Sequence, residues 1–385
     1  MNKLYFSLVF LFSGSFSFAG PGTYYNTLDS TVSCSSFKNK LFNLIKNDSH
    51  LSYRVIDNYY NRTDVKNNEI GTGIVILDRY SSENPTGIDY CAFDTVAGFC
   101  GNNSSSVYCG CYNKEHVIPT SWYNASGNTP INEISRTDMH YVWPADTKMN
   151  FDKSNLPLGY VQSATQTSLN GTKVGSSNST LNYGYNKSNV FEPIDSFKGD
   201  FARAYLYFAV RYQDSLSAWN RNNIAQDVFT SGTYPGLEPW ILQLCMQWHK
   251  MDPPSTFERQ RNDSVFAIQG NRNPFIDFPH WAEKIFGPDG AAASCVNTGI
   301  RTQQTATLEV YPNPVQDALT IELSAAFVLE NTTIQITDML GRVLYMETWK
   351  GNARPVIATS FLEKGMYVIR VESEENSAVT TFIRQ

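Results

Sequence analysis

The sequence is short of charge, of histidine and of long apolar runs, and each shortage removes a class of function. Charged residues are 17% of the 385 positions and the balance is acidic, with a formal net charge of −6. That balance does not fit a surface that grips a polyanion by bulk basicity, although local positive charge beside one site is still compatible with it. Histidines number five. None opens a His-Glu-x-x-His helix, so the common metalloprotease arrangement is missing. There is no Gly-x-Ser-x-Gly elbow for a serine hydrolase. Cys109-Gly110-Cys111 lacks the two-residue gap of a zinc knuckle and has no histidine at ligand spacing beside it, so disulfides are expected there rather than zinc. A glycosidase needs two convergent carboxylates, and nothing singles out such a pair. After the first 18 residues no apolar run reaches the ~20 residues of a spanning helix, so no membrane span is expected in the mature chain.

What is present is apolar and aromatic. Hydrophobic residues are 42% and aromatics 14%, with 22 Tyr and 23 Phe. That mixture is globular and can bury a sizeable core. The length exceeds one typical domain of ~100–200 residues, so two domains are expected. Met1-Asn2-Lys3, an apolar stretch over 4–18 and the small-x-small Ser17-Phe18-Ala19 predict a secretory signal peptide over 1–19. Seven cysteines (34, 91, 100, 109, 111, 245 and 295) suit an oxidising compartment, and the odd count leaves at least one unpaired.

Residues 20–295 read as one mixed, helix-rich unit. An amphipathic helix is predicted over 36–51 with Ser36 as its cap, and a short strand over 71–78. Three helices are predicted over 201–212, 238–249 and 257–268. A small, polar linker follows at 296–307. From 308 to 385 the chain alternates apolar and polar residues, with Met339-Leu340-Gly341-Arg342 as a hairpin turn, which predicts a small all-β sandwich. The fold class expected is therefore α+β: a helix-rich domain followed by a small all-β sandwich.

Two segments carry chemistry. In Lys114-Glu115-His116-Val117-Ile118-Pro119 an acid stands beside an imidazole. Neighbours on a strand face opposite ways, so Glu115 and His116 can share a site only where the strand ends, and Pro119 predicts such an end. The second segment runs from Asp138-Met139-His140 through Trp143-Pro144 to Asn150, 34 positions after His116. One imidazole with one divalent cation held by carboxylate and amide oxygens can activate water and stabilise a phosphorane.

KEHVIPTSWY (114–123), TDMHYVWPADTKMNFDKSN (137–155), FKGDFARAYLYFAVRY (197–212) and QGNRNPFIDFP (269–279) resemble, in this order, the bacterial endonuclease I family of His-Me finger (ββα-metal) nucleases. The resemblance implies a ββα-metal core and hydrolysis of DNA, and of RNA too, with little sequence preference and 5′-phosphate products. It implies His116 as general base, with Glu115 and Asn150 holding one divalent metal. Mg²⁺ is expected first, with Ca²⁺ or Mn²⁺ as alternatives, and Asn155 is the rival of Asn150. His140 is expected to support the site from behind or to be structural. Arg136, Arg203 and Arg272, with Lys148 and Lys153, are the candidate phosphate contacts. Asp138 and Asp146 are expected to brace loops.

The tail resembles the C-terminal sorting domain of type IX secretion through YPNPVQD (311–317), DMLGR (338–342) and KGMYVIR (364–370). This implies export by dedicated secretion machinery from a Gram-negative Bacteroidetes-type bacterium, and a secreted or cell-surface protein. The competing reading of the whole chain is an adhesin or glycan-binding surface protein, with aromatics as its platform.

Overall fold

The computed structural model describes residues 20–68, 71–82, 90–101, 105–123, 130–219, 223–290, 308–323, 332–339, 342–349, 354–372 and 377–385. The segments read above as signal peptide and linker lie outside these residues. The chain divides into two compact units, Met1–Asn297 and Thr298–Gln385. The architecture is α+β: helices and small antiparallel sheets in the first unit, strands alone in the second.

The first unit is built around the helix Asp195–Arg211, every residue of which from Phe197 onward is buried. An interior helix of that kind must be apolar all round, and the run Phe201-Ala202-Arg203-Ala204-Tyr205-Leu206-Tyr207-Phe208 is so except at Arg203. It packs on the helix Pro239–Met251, which begins with Pro239 at its first turn, where a missing N–H costs nothing. The helix Thr256–Gln269 opens with a capping box: Ser255 accepts from the Glu258 amide while Glu258 accepts from the Ser255 amide. The first helix spans Cys34–Ile45, so Ser36 lies inside it rather than capping it. Phe37, Leu41 and Ile45 are its buried stripe. The strand predicted over 71–78 is confined to Ile74–Ile76, paired with Val65–Asn67. A three-stranded sheet (Val161–Thr167, Lys173–Ser177, Asn189–Glu192) has no counterpart among the sequence expectations. Its first strand is almost wholly exposed and polar, so it offers none of the alternation that marks a half-buried strand.

The second unit is a pair of antiparallel sheets. One orders the strands Val343–Trp349, Thr332–Asp338, Gly365–Glu372 and Ser377–Arg384, the other Val356–Ala358, Ala318–Leu323 and Leu308–Tyr311. Leu319, Ile321, Ile334, Ile336, Ile369 and Val371 alternate inward to form its core.

The part that positions the site is a hairpin and a helix. Tyr112–His116 pairs antiparallel with Val142–Asp146, setting Glu115 opposite Trp143 and His116 opposite Val142. Asp146 ends the second strand and caps the helix Thr147–Lys153, its carboxylate accepting from the Met149 amide at 2.8 Å. Two disulfides, Cys91–Cys109 and Cys100–Cys111, fasten the loop that leads into the first strand. Cys34 is also disulfide-bonded, and among the described residues the free cysteine is the buried Cys245.

Candidate active site

His116 is the last residue of its strand, and Pro119 starts the turn Thr120–Trp122 three residues on. The strand therefore stops where the acid and the imidazole stand, and both reach one cleft. Glu115, His116, Pro119, Thr120, Ser121, Ser154 and Asn155 line this cleft, of about 320 Å³.

Glu115 is nearly buried, at 6% exposure. Its Oε1 accepts from the Tyr80 hydroxyl at 2.8 Å and from the Lys153 ammonium at 2.7 Å. Lys153 is fully buried and also reaches the His116 carbonyl at 3.4 Å. The helix thus returns a cation to the acid one turn after Asn150, since positions i and i+3 share a helix face. Asn150 donates through its amide nitrogen to Asn113 Oδ1 at 2.9 Å, and Asn113 shares the strand face of Glu115. That bond holds Asn150 by its nitrogen end. Its oxygen accepts from no donor among the described residues, and neither does Glu115 Oε2.

The imidazole is held from the other side. His116 Nε2 lies 2.9 Å from the Arg136 carbonyl oxygen. A carbonyl can only accept, so Nε2 carries the proton and Nδ1 of the neutral ring keeps its lone pair. The Tyr53 ring stacks on the imidazole at 5.7 Å and 18° between planes. Burial pushes the His116 pKa down to about 4. The Arg136 carbonyl opposes this, and the charges of Arg136, Lys153 and Lys114 add to it. At neutral pH the ring is unprotonated at Nδ1 and can accept a proton.

The donor set fits a hard divalent cation. Glu115 offers a carboxylate, and Asn150 or its rival Asn155 an amide oxygen, and such ions take oxygen ligands; Asn155 lines the cleft with Glu115, while Asn150 is held on Asn113 beside it. Cys91, Cys109 and Asp146 also lie within ligand distance of one another. However, the two sulfurs are bonded to each other and Asp146 is the helix cap, so this group has no thiolate to offer a metal.

The other residues marked in the sequence take different places. His140 is buried, with Nε2 3.1 Å from the Asn271 carbonyl, against the Tyr207 ring and outside the cleft. Arg203 is fully buried and forks onto Glu258 at 2.7 and 2.6 Å, with Asp200 at 3.4 Å. Arg272 holds Asp277 at 2.7 and 2.8 Å and Asp263 at 2.6 Å. Neither guanidinium is open to a phosphate, because breaking such a buried pair would strand its carboxylates. Lys148 pairs with Asp152 one turn on. Asp138 accepts from Tyr207, Tyr212, Gln269 and the His140 amide, so it fastens the loop ahead of the second strand. Arg136 stays beside the site, its side chain 29% exposed and its carbonyl on His116. Tyr80, Tyr53 and Asn113 were not singled out by sequence reasoning. Tyr80 lies 35 positions before Glu115 in a loop, and no periodicity or spacing points to it.

Residues 33–280 match the model of the Endonuclease I family, and residues 309–385 match that of the secretion system C-terminal sorting domain. The chain is 28% identical over 283 residues to an extracellular ribonuclease of Bacillus subtilis, covering 73% of this chain and 84% of that one. It is 29% identical to the extracellular ribonuclease of Bacillus amyloliquefaciens, over 70% of this chain and 79% of the relative. An extracellular deoxyribonuclease of Aeromonas hydrophila is 26% identical over 42% of this chain and 64% of its own length. No helix among the described residues is long and apolar enough to cross a membrane. With a nuclease family model over most of its length and a sorting model over its tail, this chain belongs to the endonuclease I family and is a secreted nuclease.

Proposed function

We propose that the cleft at the end of the Tyr112–His116 strand hydrolyses phosphodiester bonds in DNA and RNA, with His116 as general base and one divalent metal, Mg²⁺ first, held by Glu115 and Asn150. The observation that carries this reading is the bond from His116 Nε2 to the Arg136 carbonyl, which leaves Nδ1 of the neutral ring with its lone pair. His116 Nδ1 takes a proton from water as the water oxygen bonds to phosphorus. The bond from phosphorus to the 3′-oxygen breaks, and that oxygen leaves as a hydroxyl after protonation by solvent. The products are a 5′-phosphate and a 3′-hydroxyl. When bound, the metal supplies positive charge to the phosphoryl oxygens and the leaving oxygen.

Lys153 and Tyr80 hold Glu115 in place, and Tyr53 and the Arg136 carbonyl hold the imidazole plane. Ribonucleases and a deoxyribonuclease among the relatives support a site that addresses the backbone and not the base edges, which also accounts for little sequence preference. The unit over 20–295 carries this activity, and the tail over 308–385 serves export. Plasmid DNA and total RNA are the test substrates, with Mg²⁺, with EDTA, and with His116→Ala checked for folding by circular dichroism. Mg²⁺-dependent degradation that His116→Ala lowers by ~10²–10⁴-fold is expected. A folded wild-type protein that degrades neither polymer with any divalent metal refutes the proposal.

A further inference from the structure

A second groove adjoins the cleft and has no part in the chemistry above. His50, Leu51, Ser52, Tyr53, Arg54, Glu133 and Arg136 line it, and its volume is about 520 Å³. It lies between the turn Tyr53–Tyr59 and the helix Pro130–Thr137. The wall between groove and cleft is thin and consists of named contacts: Tyr53 stacks on the His116 ring, and Arg136 receives the His116 N–H on its carbonyl. A polymer whose scissile phosphate sits beside His116 therefore has this groove next along its path.

The lining suits a polyanion. Arg54 and His50 are exposed, and Arg54 makes no ion pair among the described residues. The Arg136 guanidinium lies 5.1 Å from the centre of the Tyr53 ring. Its ion pair with Glu133 is long, at 3.3 Å, and both side chains are only half-buried, at 29% and 44% exposure. Such a pair contributes little and is readily exchanged. By contrast, Arg203, Arg272 and Lys153 are locked onto buried carboxylates, and Lys148 is paired with Asp152. In a chain of net charge −6, two guanidiniums against one carboxylate at a groove leave a local positive excess.

We propose that this groove is a binding subsite for the nucleic acid strand flanking the scissile bond, with Arg54 and Arg136 on backbone phosphates and Glu133 tempering Arg136 in the free protein. The proposal rests on the nuclease reading for its choice of polymer, but binding can be measured without cleavage. The probe is a fluorescein-labelled 20-nucleotide single-stranded DNA, read by fluorescence anisotropy with the full chain in EDTA over a salt series. Each lost phosphate contact flattens the slope of log K against log salt by about 0.7 on single strands. Arg54→Gln/Arg136→Gln should therefore flatten it by about 1.4 and weaken binding roughly ten-fold at low salt. Glu133→Gln should bind more tightly than wild type, which a merely structural role for the pair would not produce. Lys187→Gln, an exposed cation on another face paired with Asp227, should leave the slope unchanged. An unchanged slope in the double variant, or a wild type that does not bind the probe at low salt, overturns the proposal. Cleavage by the wild type with Mg²⁺ is scored separately, so the subsite can fail while the nuclease reading stands, and the reverse.

Discussion

Replacing Lys153 by Met should destabilise the protein in a way that a divalent cation repairs. The Lys153 ammonium lies 2.7 Å from Glu115 Oε1, with side-chain exposures of 1% and 7% for the two partners. Lys153→Met keeps most of the side-chain volume but leaves the Glu115 carboxylate with one neutral donor, the Tyr80 hydroxyl. Removing one partner of a buried ion pair costs about 3–5 kcal/mol, because the remaining charge stays desolvated. In a domain of this size each kcal/mol moves Tm by about 2–4 °C, so a fall of roughly 10 °C is expected in EDTA. A divalent cation at Glu115 would replace the lost positive charge. The Tm gap between variant and wild type should therefore narrow as Mg²⁺ is raised, since a ligand favours the folded state in proportion to its affinity for it. The double variant Lys153→Met/Glu115→Gln has no uncompensated charge and should recover most of the loss in EDTA, with no response to Mg²⁺. Differential scanning fluorimetry of the three proteins with EDTA and with Mg²⁺ measures all of this. A Lys153→Met Tm within about 2 °C of wild type, or a gap that Mg²⁺ leaves unchanged, would refute the assignment of Glu115 as a metal ligand whose negative charge Lys153 balances.

The pH dependence of kcat/KM follows from the imidazole. Burial lowers the His116 pKa to about 4, and a general base works deprotonated. Activity should rise as pH rises through about 4 and stay level through neutrality, and an acid limb near the unperturbed ~6.5 would show that the ring is not held as described. Arg203→Ala should lower stability by about 3–5 kcal/mol by stranding Glu258, with KM of the folded fraction unchanged. A raised KM at unaltered Tm would return Arg203 to the substrate.

Some of the helices were legible because burial writes itself along the chain. The 195–211 helix is apolar at 201–208 except at Arg203, which predicted a helix over 201–212, whereas the Ser255–Glu258 capping box that opens the 256–269 helix was not read from the sequence. Boundaries moved where capping was misjudged: Ser36 resembles a cap, but the helix begins at Cys34. The Val161–Thr167 strand was invisible because neither of its faces is buried, and Lys173–Ser177 buries only the adjacent Val174 and Gly175, which is no alternation. In the site, Glu115 beside His116 ahead of Pro119 was readable, since proline and the turn after it end a strand within three residues.

What the sequence by itself determined is the chemistry on offer: an acid and an imidazole at a strand end, an asparagine 34 positions on, and a tail of alternating strands whose secretion role came from its resemblance to a sorting domain. The acid, the imidazole and the strands are local patterns of spacing and periodicity. Only the tertiary structure decided which imidazole nitrogen holds the proton, which cation sits on Glu115, and which of the candidate arginines is left exposed. Those choices depend on pairs far apart in the chain, such as Lys153 with Glu115 across 38 positions and Arg203 with Glu258 across 55. A buried charge takes whichever partner packing brings within hydrogen-bond reach, and nothing in the one-dimensional order of residues records that distance.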